Sequence, residues 1–234
     1  MIKNMLRGST ALLLALAPLA LPTTAGAAPA AGAPAASVAP AAAVVLPLAD
    51  AVDRLPVAIE DRTGYTRDAF KHWNKGLNAT DGCHTRNEVL LAEAVVSPLV
   101  GERCKLTGGE WFSYYDGRTL TDTADVDIDH VVPLAEGWDS GASVWTPARR
   151  EAYANDQDAA TSLVAVTDRV NQAKADRDPA EWMPPLPDVH CRYVGEWTAT
   201  KLRWGLSADQ AEADALKVYA EACETTVVHY TPAP

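Results

Sequence analysis

After its first two dozen residues the sequence has no apolar run approaching the roughly 20 residues that a bilayer-spanning helix needs. It has no internal repeat. None of its cysteines stands near residue 27, which excludes a lipid anchor on a newly exposed N-terminal cysteine. Its four cysteines include no CxxC pair, so a zinc ribbon is set aside. The chain is also short of cations. Twenty Lys and Arg face 31 Asp and Glu, for a net charge of −11, too few for the many phosphate contacts behind broad nucleic-acid binding. That deficit does not exclude a phosphate substrate, because a bound divalent cation reverses the local field. Polyanion binding is expected to be weak, local and cation-dependent.

What is present begins with a leader. Lys3 and Arg7 precede an apolar stretch over 11–22, and Ala25-Gly26-Ala27 forms a small-residue cleavage site, the pattern of a secretory signal peptide over 1–27. Residues 28–45 are almost wholly Ala and Pro with no charge, which predicts a linker. One domain is expected over 46–234. The mature protein is expected to be secreted, extracellular, free of the membrane and monomeric, and loss of Lys3 and Arg7 takes its net charge from −11 to −13. In an exported chain four cysteines predict two disulfides. Of the three possible connectivities, Cys83–Cys104 with Cys191–Cys223 is favoured because each bridge closes a local segment.

The elements follow from pattern. Residues 66–75 predict a short helix presenting Phe70 and Trp73, and 84–96 a second helix with Thr85 and Glu88 as a capping box. Residues 108–122 predict a hairpin turning at Asp116-Gly117. "DVDIDHVVPL", 125–134, predicts a strand with Asp125, Asp127 and Asp129 on one face and Val126, Ile128 and His130 on the other. Thr146 and Pro147 start a helix, and 162–167 is a short buried strand. Asp168 is expected to cap the next helix and Asp178-Pro179 to open another turn. Two tail helices are expected near 191–204 and 208–223, the first stopped by Gly205 and the second capped by Ser207 with Gln210. The class is α+β.

Asn171 and Lys174 are three apart on a predicted helix and share a face. That helix directly follows strand 162–167, which is positioned to pair with the strand bearing Asp129 and His130. A carboxylate, an imidazole and a carboxamide then converge, with oxygen ligands for a hard cation and a base near its natural pKa. A regular strand places neighbours Asp129 and His130 on opposite faces, so a twist or bulge before Pro133 is expected to bring them to one ligand. Asp125 and Asp127 are read as solvated residues or structural loop ligands rather than catalytic groups. Residues 77–88 mimic the later part of an EF-hand loop, but Leu77 and Ala79 supply no side-chain oxygens. Arg149 and Arg150 are candidate phosphate contacts, set against the commoner role of solvated helix residues. Trp182 and Trp197 are assigned to the core.

"DIDHVVPLAEGWDSGA", "YAND", "SLVAVTDRVNQAKADRDPAEWMPP" and "CRYVGEWTATKLRWGL" together resemble the secreted HNH endonuclease family, within the ββα-metal nucleases, from about Leu55 to Cys223. The resemblance implies a ββα-metal (HNH) core embedded in a mostly helical domain stapled by the two disulfides. It implies His130 as general base, Asp129 and Asn171 as ligands of one divalent cation (Mg²⁺ or Mn²⁺ first, Ca²⁺ or Zn²⁺ as alternatives), and Lys174 steadying the helix or approaching a phosphate. The substrate implied is DNA, with RNA as alternative. The family's middle Asn precedes the second strand and fixes the His through its backbone; here Ser162 occupies that place, with Asn155 seven residues earlier as a weaker substitute. Two rival readings stand beside this one: an exported binding module on the same fold without catalysis, and a small-molecule phosphodiesterase.

Overall fold

The first strand of the domain pairs with the last. β1 (Val44–Pro47) runs antiparallel to β9 (Val227–Tyr230), with Val44 opposite Tyr230 and Pro47 opposite Val227. The structure, a computed structural model, describes residues 42–234. The expected signal peptide and the linker residues before 42 lie outside the described residues, whereas Val44 and Val45, assigned to the linker, belong to β1. In chain order follow α1 (Leu48–Val52), α2 (Thr85–Ala92), β2 (Ala94–Val96), β3 (Leu99–Val100), β4 (Leu106–Thr107), β5 (Glu110–Ser113), β6 (Arg118–Leu120), β7 (Val126–His130), α3 (Leu134–Asp139), α4 (Pro147–Ala154), β8 (Leu163–Thr167), α5 (Asp168–Lys174), α6 (His190–Trp204) and α7 (Gln210–Ala222). The class is a mixed α+β domain with two disulfides, Cys83–Cys104 and Cys191–Cys223, as the spacing suggested.

β7 and β8 form an antiparallel pair at the centre, in unbroken register from Val126–Thr167 to His130–Leu163. Its two faces serve different cores. Val126, Ile128, Leu163 and Ala165 pack with Leu90 of α2 and with Trp111 and Leu120 of the β5–β6 hairpin. Val164 and Val166 join the larger core around Tyr115, Tyr193, Trp197 and Leu216. A strand buried on both sides reads as a continuous apolar run, as 163–166 does.

Several predicted elements stand: the β5–β6 hairpin with Gly117 at φ 69°, the Thr146 cap with Oγ1 accepting Arg149 N at 3.2 Å, and the left-handed Gly205 ending α6. Others are corrected. Residues 66–75 hold only a 3-10 turn, Arg67–Ala69. α2 is capped by the His84 ring, and Glu88 instead accepts the Leu77 and Asn78 amides and Gln157 Nε2. Residues 94–96, expected to continue that helix, are strand β2. Asp168 bonds Gln172 rather than capping α5. α7 is capped by Asp209, which accepts Glu212 N, while Ser207 bonds the Ser140 carbonyl.

Among the described residues two lysines are wholly buried, Lys174 and Lys201. Lys201 of α6 bonds Glu136 of α3 at 2.7 Å, Glu212 of α7 at 2.5 Å, Ser140 Oγ and the Ser207 carbonyl. Glu60 adds a third carboxylate. Burial pushes Glu60 up to about 8 and Glu212 up to about 7, while Glu136, despite its burial, is held below the usual range chiefly by Lys201. Removing one partner of a buried ion pair leaves an uncompensated charge. Lys201→Met is therefore expected to cost about 3–5 kcal/mol in urea unfolding at pH 8, and less at pH 5, where the carboxyls protonate. An equal loss at both pH values would contradict the charge argument.

Glu93, at the end of α2, gives a second pH signature. Its carboxylate accepts Ala165 N at 2.7 Å, yet burial raises it to about 7. A carboxyl raised on folding binds more protons folded than unfolded between its ordinary pKa, near 4.5, and 7. Its contribution is present at low pH and is lost as pH rises through that window. Unfolding midpoints of Glu93→Gln are expected to fall less steeply than wild type between pH 5 and 8.

Candidate active site

A cavity of about 380 Å³ lies against β7 and is lined by four consecutive residues of that strand, Asp127 to His130, together with Asn171 and Asp176. β7 pairs with β8 alone among the described strands. Its other edge is free, and a cavity along a strand edge is reached from both faces. Alternation thus survives intact, and the expected twist or bulge is absent from the unbroken register.

On the larger core's face, Asp129 is buried and both its oxygens accept Lys174 Nζ, at 2.8 and 2.7 Å; Oδ2 also takes the Tyr115 hydroxyl at 2.6 Å. Lys174 adds a bond to the His130 carbonyl at 2.8 Å. Burial pushes the aspartate up and the lysine down, and each partner opposes the shift of the other. Lys174 is thus a buried counter-ion, with no free ammonium for a phosphate. Asn171, one turn earlier, donates Nδ2 to Asp127 Oδ2 at 2.7 Å, and its Oδ1 has no hydrogen-bond partner among the described residues. Asp127, expected to be solvated or structural, is the residue that orients Asn171. Its i, i+2 relation to Asp129 was the available signal.

On the opposite face, His130 Nε2 lies 2.9 Å from the Ala154 carbonyl. A carbonyl only accepts, so Nε2 carries the proton and Nδ1 is the basic nitrogen of the neutral ring. The ring was expected near its natural pKa; burial instead pushes it down to about 3 and holds it neutral. Trp73 stacks on it, with ring centroids 5.4 Å apart and 20° between planes. Trp73 adopts φ 56°, which only a strong local constraint makes a non-glycine residue keep. The constraint is Asn155. Its Oδ1 accepts Asn74 N at 2.9 Å and its Nδ2 donates to the Lys71 and Glu151 carbonyls. Hence the backbone that fixes His130 belongs to Ala154, directly before Asn155. Ser162, expected in that place, bonds Asp156, which in turn holds Arg203 and Trp204.

Arg149 and Arg150 do not line the cavity. Arg149 lies over Trp145 and Trp204 and donates to the Trp204 and Pro234 carbonyls. Arg150 donates to the carbonyls of Ala69, Ala142 and Trp145. Both guanidiniums are spent on closing loops. The cationic side chain that does line the cavity is Arg67, which no sequence pattern had marked.

Among the described residues, the one His/Cys/Asp/Glu trio with ligand atoms within 4.8 Å of one another is Glu60, Glu136 and Glu212, and the Lys201 ammonium already occupies it. The β7 cavity offers a different set: Asp127, Asp129 and the free Oδ1 of Asn171. These are hard oxygen donors. A carboxylate has about four lone-pair positions, and Asp129 uses three. Such a sparse set fits Mg²⁺, which keeps several waters and takes one or two protein carboxylates.

Residues 101–217 match the family described as GmrSD restriction endonucleases, C-terminal domain. An uncharacterized secreted protein of Arthroderma benhamiae is 44% identical over 160 residues, covering 68% of this chain and 76% of that protein. No solved structure matches. The matched span contains β7, β8, α5 and every residue of the cavity from Asp127 to Asp176, and on that match the chain belongs to the family of GmrSD restriction endonuclease C-terminal domains.

Proposed function

We propose that this chain is an exported, metal-dependent endonuclease that hydrolyses phosphodiester bonds of DNA, with RNA as the alternative polymer. In this reading β7, β8 and α5 are a ββα-metal (HNH) core, His130 is the general base, and Asp129 and Asn171 hold one divalent cation. The observation that carries it is a neutral imidazole with Nδ1 unprotonated, sharing one cavity with three oxygen donors. The family description supports an endonuclease, and the relative's description as secreted, with two disulfides here, supports export.

A divalent cation held there would polarise the phosphoryl group and stabilise the departing oxyanion. The chain's own groups do the rest. His130 Nδ1 accepts a proton from the attacking water, and the Ala154 carbonyl steadies the ring as it becomes charged. Trp73 fixes the ring plane. Lys174 and Tyr115 fix the Asp129 carboxylate, and Asp127 turns the Asn171 oxygen outward.

A binding module without catalysis is favoured by one observation: Lys174 and Tyr115 already take three of the hydrogen-bonding positions of Asp129. Metal binding without turnover would support it.

The mature protein is expected to nick supercoiled plasmid with Mg²⁺ or Mn²⁺ and to stop in EDTA. His130→Ala should lower the rate by about 10²- to 10⁴-fold with the unfolding midpoint retained; wild-type cleavage by a folded His130→Ala protein sinks the mechanism. Asp127→Ala should raise the Mg²⁺ concentration for half-maximal rate by roughly 10- to 100-fold, the usual cost of losing a residue that orients a ligand. An unchanged metal requirement would remove Asp127 from the site.

A further inference from the structure

The cavity beside β7 does not end at Trp73. A second pocket, of about 620 Å³, is also lined by that residue, together with Lys71, Lys75, His84 and Glu151 among others. The two pockets share Trp73 and differ in charge. The first holds Asp127, Asp129 and Asp176 against Arg67; the second holds two lysines against one glutamate. In a chain with a net charge of −11 this is a local reversal of sign.

The cations come from one short segment. Arg67, Lys71 and Lys75 lie within nine residues, with Asp68 the one acid among them. Lys71 is paired with Glu151 at 3.0 Å. Arg67 and Lys75 are exposed and form no ion pair or side-chain hydrogen bond among the described residues. The other candidate cations near the site, Lys174, Arg149 and Arg150, are consumed inside the protein. The segment is also held in place. Asn155 takes the Asn74 amide and the Lys71 carbonyl, and Thr85 bonds Asn74 through both its amide and its hydroxyl. Two free charges on a clamped loop, one on each side of the base's stacking partner, suit a ligand that carries repeated negative charge across both pockets.

We propose that residues 67–75 form a backbone track, in which Arg67 and Lys75 contact phosphates flanking the linkage at His130, so that the ligand is a polynucleotide strand crossing from the acidic cavity to the basic pocket. This rests on the nuclease reading for its ligand, but its contacts require no metal. Each phosphate contact releases condensed counterions, so the logarithm of the binding constant falls with the logarithm of salt by about 0.9 per contact on duplex DNA.

The test is the anisotropy of a fluorescein-labelled DNA duplex titrated with the mature protein in EDTA, from about 50 to 200 mM salt. At the middle of that range the Debye length is about 10 Å, which screens the distant acidic surface. Wild type is expected to bind with a salt slope near two contacts. Arg67→Gln and Lys75→Gln should each lower that slope by about one contact, and the double variant should lose measurable binding, with unfolding midpoints matching wild type. A slope unchanged in both single variants overturns the track. So does a wild-type protein that nicks plasmid with Mg²⁺ yet shows no binding in EDTA, and that result leaves the nuclease reading standing. A protein that neither nicks nor binds removes both.

Discussion

The Lys174–Asp129 pair is the contact on which the site's layout depends. An ammonium and a carboxylate are both taken out of water at the junction of α5 and β7, and neither tolerates burial without the other. Tyr115 and the His130 carbonyl complete their hydrogen bonds. Once that pair is closed, the helix has one position along the strand. Three residues back along α5 is a rise of about 4.5 Å; two residues back along β7 is about 6.8 Å. The two steps bring Asn171 beside Asp127, where their side chains meet. One buried salt bridge thus sets the register of a helix against a strand, and the donor set follows from the register.

The second constraint is the free edge of β7. Neighbouring residues of a strand face opposite ways, and here they do: Asp129 reaches into the larger core while His130 joins Trp73 in the smaller one. They meet because the cavity lies along the edge rather than on a face. No distortion is required, which preserves all five pairings of β7 with β8. The imidazole is then held by groups unrelated to the carboxylates: Ala154 from α4 and Trp73 from a loop. The Asp129 carboxylate and the His130 ring thus rest on different side-chain and backbone partners.

Legibility in the sequence divides along the range of the interaction. Thr146-Pro147, Asp116-Gly117 and Gly205 act within a few residues of their own position, and each reads correctly. The buried strand at 163–167 reads from its composition. His130 and Asn171 stand out by type and spacing, and they line one cavity. The caps expected at Thr85, Asp168 and Ser207 fail locally, but the failures around the site involve distant partners. Residues 66–75 have helical spacing, but Asn74 is pulled by Asn155, 81 residues away, and Trp73 is forced to positive φ. Lys174 was expected to steady the helix or approach a phosphate, and the carboxylate it pairs with lies 45 residues earlier. Arg149 and Arg150 looked free because their acceptors are backbone carbonyls, which no side-chain pattern announces. Ser162 drew attention by position in a motif, while the carbonyl that holds the His130 ring sits at Ala154, at the end of α4.

The pairing of β1 with β9 has a consequence for the order of events in a chain made from its N-terminus. Val44–Pro47 emerges early, and its partner, Val227–Tyr230, emerges more than 170 residues later. Until then the opening strand has an unsatisfied edge, and α1, which packs on α7, lacks its seat. Closure of the domain is thereby deferred to the last stretch of chain, as high contact order requires. A strand pair made from the first and last strands of the described domain thus forms only when the whole of that domain is available to fold.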